Sequence, residues 1–131
     1  PRIPVGARVL GLVGKPCAPG WAVHRLDHLP SMAIVRRGAF SNDQWQASGA
    51  QLLTVQYKAA GRFAADPSQF VIETRCERRE RMAYSRAIAT FPRAAFDYVW
   101  VINQPQEAAD ARGLKRIWKS GRSALYRVTT E

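Results

Sequence analysis

The chain has 131 residues, 47% hydrophobic and 23% charged, which fits one folded domain with its own core and excludes a disordered chain. Lysine and arginine number 20 against 10 acids, a formal net charge of +10. No apolar run approaches the roughly 20 residues needed to cross a bilayer. That charge suits an acidic partner: nucleic acid, an anionic membrane surface or a phosphate-bearing ligand. The charges are scattered from Arg2 to Arg127, however, mostly as arginine and without a lysine-rich tail. They read as a solvated basic surface more than as a nucleic-acid interface.

In chain order, RVLGLVG (Arg8 to Gly14) is a short apolar run flanked by Gly6 and by KPCAPG, the pattern of a buried strand entering a proline-containing loop. MAIVRR (Met32 to Arg37) and LLTVQY (Leu52 to Tyr57) read as two further strands, joined by the turn-rich GAFSNDQWQASGA. AAGRFAADP gives an irregular segment or one short helical turn. ERRERMAYSRAIAT (Glu77 to Thr90) reads as the main helix, stopped by Pro92. Met82, Tyr84, Ser85, Ile88 and Ala89 would face inward, and Glu77 with Arg81 would form an i,i+4 ion pair.

FDYVWVIN then alternates Tyr98, Trp100 and Ile102 with Val99 and Val101, so both faces are apolar. That suits a central strand covered on each side. LKRIWK, SGRS and ALYRVT read as a hairpin about a glycine. Together these give a single α/β domain over residues 1–131: a two-layer or three-layer sandwich with a small mixed β-sheet, helices packed on it and a C-terminal β-hairpin.

Motifs for chemistry are sparse. GLVGKP follows a strand but lacks the spacing of a phosphate loop, and Pro16 stands where a hydroxyl residue is needed. His24 and His28 lie four apart in HRLDH, but Arg25 occupies the place of a metalloprotease glutamate, so the segment reads as a polar loop anchor and no metal is expected. There is no G-x-S-x-G elbow, and no cofactor is expected.

In AFSNDQW, residues Asn42, Asp43, Gln44 and Trp45 place planar polar groups beside an aromatic platform, as sugar recognition requires; an Asx-type turn with Trp45 pinning the loop to the core explains them better. Asn103 and Gln104 end the central strand, where open α/β sheets place ligands, with Glu107 and Asp110 the nearest acids. Cys17 and Cys76 lack metal-ligand spacing. They are two buried thiols in a reducing compartment, or one disulfide in an oxidising one, worth about 4 kcal/mol in the loop-entropy model.

IPVGARVL, HLPSMAIVRRGAFSNDQW and FDYVWVIN followed by LKRIWKSGRSALYRV together resemble the C-terminal soluble domains of bacterial multi-pass membrane proteins. These are GT-C-like glycosyltransferases and related uncharacterised inner-membrane proteins. The likeness runs from Pro4 to Val128 and is architectural. It implies a piece of a longer protein, on the periplasmic face of the inner membrane, whose partner is the transmembrane region of its own parent. The parent's catalytic carboxylate is expected in a membrane-proximal loop that has no counterpart here, so no catalytic residue carries over.

The resemblance implies a non-catalytic domain that helps position a carbohydrate or lipid-linked substrate, with Cys17 and Cys76 able to pair and the basic surface facing anionic headgroups. His28, Asn42, Asp43, Trp45 and Asn103 are its candidate binding residues. The alternative is a free-standing module binding nucleic acid or another polyanion.

Overall fold

Arg8–Gly14 forms strand β1, buried almost throughout, and the rest of the fold is arranged around it. The structure is a computed structural model that describes residues 2–17, 26–44, 55–79, 81–107 and 109–129. Helix α1 is Met32–Arg37 and β2 Phe40–Ser41; β3 is Phe70–Ile72, β4 Met82–Ala83 and helix α2 Tyr84–Thr90. Strands β5 (Tyr98–Ile102), β6 (Leu114–Ser120) and β7 (Ser123–Val128) complete the sheet.

The order is β4-β3-β1-β5-β7-β6, with β2 beside the start of β1. Strands β2, β3 and β5 run parallel to β1, and β4 runs parallel to β3. β7 is antiparallel to both β5 and β6. The fold is therefore the small mixed-sheet α/β domain expected, with β6 and β7 as its C-terminal hairpin.

Side-chain alternation divides the sheet into two faces. Leu10, Leu12, Val99 and Val101 point to one, where they pack with Ala87 and Ile88 of α2 and with Phe63, Phe91 and Phe96. Fully burying each such side chain contributes about 1.5–3 kcal/mol. Val9, Tyr98 and Trp100 point to the other face, against Ala33 of α1 and Ala39. Helices thus cover both faces, which makes three layers.

The N-terminal ends of β1 and β5 are tied by Arg8. Its Nη2 lies 2.6 Å from Asp97 Oδ1, and its backbone N–H donates to Asp97 Oδ2 at 2.8 Å.

Three sequence expectations are corrected. MAIVRR is helix α1, not a strand; a six-residue apolar run does not discriminate the two by periodicity. Gly38, at φ 53°, ends it, donating to Ile34 O at 3.0 Å, a left-handed cap open to glycine. Its amino-terminal end is served from afar: Ser31 N–H donates to the Asp43 carboxylate at 3.0 Å.

The Glu77–Thr90 helix contracts to α2. Met82 and Ala83 join β3 as a strand instead, and Ser85 N–H at the start of α2 meets Glu107 Oε1 at 3.3 Å. Glu77 pairs with Arg86 at 2.6 Å, not with Arg81. The shorter helix turns Tyr84, Ala87 and Ile88 inward and leaves Ala89 exposed. Of LLTVQY, Leu52 to Thr54 lie outside the described residues, and Val55 to Tyr57 form no strand. A strand not anticipated, β3, follows the Asp66-Pro67 turn.

Candidate functional site

The parallel strands β1, β3 and β5 all end at one edge, and the loops leaving them enclose a cleft of about 820 Å³. It is lined by Gly14 to Cys17, Asp27, Glu73, Arg75, Asn103, Pro105 and Arg122, among others. A crevice beyond the carboxyl ends of parallel strands is where α/β sheets commonly take ligands. Cys17, after β1, is disulfide-bonded to Cys76, after β3, with Cα atoms 5.6 Å apart. Two of the loops that build the cleft are thereby locked together.

Four of its charged groups are paired with one another and a fifth is held by the backbone. Lys15 Nζ lies 2.6 Å from Asp27 Oδ1, both side chains almost wholly buried, and Arg75 pairs with Glu73 at 2.8 Å. Arg122 donates from Nη2 to Gln104 O at 2.7 Å.

Asn103 lines this cleft as a latch. At φ 52° it turns the chain sharply out of β5, and its Nδ2 donates to Gly14 O at 3.0 Å. A Cβ on Gly14 would stand 1.9 Å from Asn103 O, so β1 needs glycine there. Glu107 is also structural. Burial works against its ionisation, but donors from Thr74 and Ser85 outweigh that and hold its carboxyl below the ordinary range. Asp110 pairs with Arg112. Neither acid is placed as a base in the cleft.

His28, Asn42 and Asp43 gather on the α1 side of the sheet. Asn42 is fully buried and bridges Gly11 twice: Gly11 N–H donates to Oδ1 at 2.7 Å and Nδ2 donates to Gly11 O at 3.0 Å. Along this edge of β1, β2 pairs only with Arg8 and Val9, and β3 only with Val13 and Gly14. The Asn42 carboxamide fills the gap between them as a peptide group would.

Asp43, buried beside it, accepts from His28 Nδ1 at 2.7 Å. That hydrogen bond raises the imidazole above its ordinary pKa; burial opposes it, and the charges of Asp43, Asp66 and Asp27 reinforce it. Gln69, wholly buried, sets its Nε2 against Asp43 and Asp66. Trp45 and His24 lie outside the described residues. Asp66, Gln69 and the pairing of Lys15 with Asp27 escape sequence reading: Lys15 stands in GLVGKP and Asp27 in HRLDH, but nothing local joins them.

A second depression, of about 420 Å³, opens on the same face nearer the hairpin. Trp100, Trp118, Leu125 and Met32 give it an apolar floor, and Arg2, Arg36 and Arg37 stand on its rim, with no acid among the described residues of the lining. Val35, on α1, is 77% exposed. No family model matches the chain, and no curated protein or solved structure matches it.

Proposed function

We propose that this chain is the non-catalytic extracytoplasmic domain of a bacterial membrane protein of the glycosyltransferase-like kind it resembles. In this reading it lies on the periplasmic side beside its parent's transmembrane region, faces the anionic headgroups of the bilayer and helps position a lipid-linked glycosyl substrate. The observation that carries the proposal is the Trp100–Trp118 depression rimmed by Arg2, Arg36 and Arg37. Indole rings favour the membrane–water boundary, and arginines without acidic neighbours are complementary to anionic lipid. The Cys17–Cys76 bond supports an oxidising compartment. The pairing of Lys15 with Asp27 and of Arg75 with Glu73 in the cleft supports a positioning role over a chemical one.

Flotation of the chain with phosphatidylglycerol-containing vesicles tests this against phosphatidylcholine alone. Binding is expected only to the anionic vesicles. Each arginine near such a surface contributes about 1 kcal/mol, so Arg2→Ala with Arg36→Ala is expected to weaken binding about 30-fold. Unchanged binding by the double variant, or no binding to anionic vesicles, refutes the reading.

A polyanion- or nucleic-acid-binding module is the second reading, favoured by exposed Lys115, Arg116 and Lys119 along β6. A single-stranded oligonucleotide held more tightly than the vesicles, with steep salt dependence, would select it.

A further inference from the structure

We propose that His28, Asp43, Asp66 and Gln69 form a binding site for a divalent transition cation of the zinc or manganese class. The site is separate from both the cleft and the tryptophan groove. His28, Asp43 and Asp66 each offer one ligand atom, all within 4.8 Å of one another. Ligand atoms around a tetrahedral ion with bonds of about 2.0–2.1 Å stand about 3.4 Å apart, so the set would have to draw together by about 1–1.5 Å. One imidazole nitrogen with carboxylate oxygens is a donor set that zinc and manganese accept.

The independent observation is Gln69. Its side chain is wholly buried, yet among the described residues its Oε1 meets no hydrogen-bond donor, while the other end of the same carboxamide abuts Asp43 and Asp66. A buried amide oxygen left without a donor costs about 1–3 kcal/mol. A half-turn about the last side-chain torsion carries that oxygen to the carboxylates. Alone there it would be repelled; with a cation between them it becomes a fourth ligand.

Charge points the same way. Asp43 is 3% exposed at its side chain, and among the described residues neither it nor Asp66 forms an ion pair with lysine or arginine. A buried carboxylate needs a countercharge, and among the described residues the one cationic partner is a half-exposed imidazole. In a chain of net charge +10, two acids facing one histidine is a local reversal of sign. The ion would replace the proton shared by His28 Nδ1 and Asp43 Oδ1, and His28, exposed above the buried Asp43, gives it a way in.

Calorimetric titration of the metal-stripped chain with Zn²⁺, Mn²⁺ and Ca²⁺ tests the proposal. One Zn²⁺ or Mn²⁺ is expected per chain. Asp43 is avoided because its loss also uncaps α1; His28→Ala and Asp66→Asn are each expected to weaken binding by at least about tenfold, with near-ultraviolet circular dichroism unchanged. Mn²⁺ is expected to broaden the Gln69 side-chain amide resonances in NMR, and to broaden them less in His28→Ala at the same Mn²⁺ concentration. Absence of Zn²⁺ and Mn²⁺ binding, affinity unaltered in both variants, Ca²⁺ binding that does not need His28, or Gln69 resonances left sharp by Mn²⁺ would each overturn it.

Discussion

Replacing Asn42 by alanine separates a structural role from a ligand-binding one. The substitution removes the acceptor of Gly11 N–H and the donor to Gly11 O, at 2.7 and 3.0 Å, from a position with no solvent exposure. Neither neighbouring strand can take over, since β2 ends its pairing at Val9 and β3 begins at Val13. Two buried backbone groups go unsatisfied at about 1–3 kcal/mol each; partial water entry reduces the sum, and we expect about 3 kcal/mol.

That is a large share of the about 5–15 kcal/mol typical of a domain. Urea denaturation measures the loss, and native-state amide exchange locates it, because Gly11 N–H is expected to lose its protection in the variant. A cost under about 0.5 kcal/mol with Gly11 still protected, or wild-type stability with weakened carbohydrate binding, would refute the argument.

Removing the disulfide by Cys17→Ala with Cys76→Ala opens a crosslink spanning 59 residues, for an expected loss of about 4 kcal/mol; equal stability of the oxidised chain and the variant counts against it. The Arg8 hydrogen bonds lower the Asp97 pKa in the folded chain, with burial opposing. The stability they add is therefore complete above the unfolded value near 4 and is lost as pH falls through the folded value. Both side chains are about two-fifths exposed, so the increment is about 1 kcal/mol or less. Asp97→Asn should flatten the stability profile below about pH 4, and an unchanged acid limb contradicts this. Gly14→Ala drives a Cβ into the backbone oxygen of Asn103 and is expected to cost about 1–3 kcal/mol; a thermal melt matching the wild type would show that β5 can move aside.

Periodicity and chain punctuation were enough to read β1, β5, the hairpin and the α/β class. In each, an apolar run bounded by turn residues, or a glycine turn, carries its signal within a few residues. FDYVWVIN announced a strand with two apolar faces because alternation records burial directly, and Asn103 at its end proved to be the latch of that strand onto Gly14. The two cysteines could be read as able to pair, but their neighbours gave no means of deciding it.

Tertiary structure decided what depends on residues remote in sequence. MAIVRR is helical with its first turn met by Asp43, and Tyr84–Thr90 begins where Glu107 supplies an acceptor. Asp43 lies 12 residues from the Ser31 N–H it meets and Glu107 lies 22 from that of Ser85, so local propensity could not weigh either. The His28–Asp43–Asp66–Gln69 cluster arises in the same way, from four loop positions brought onto one face of the sheet. A short apolar run is compatible with helix or strand until hydrogen-bond partners are assigned, and here those partners come from across the fold.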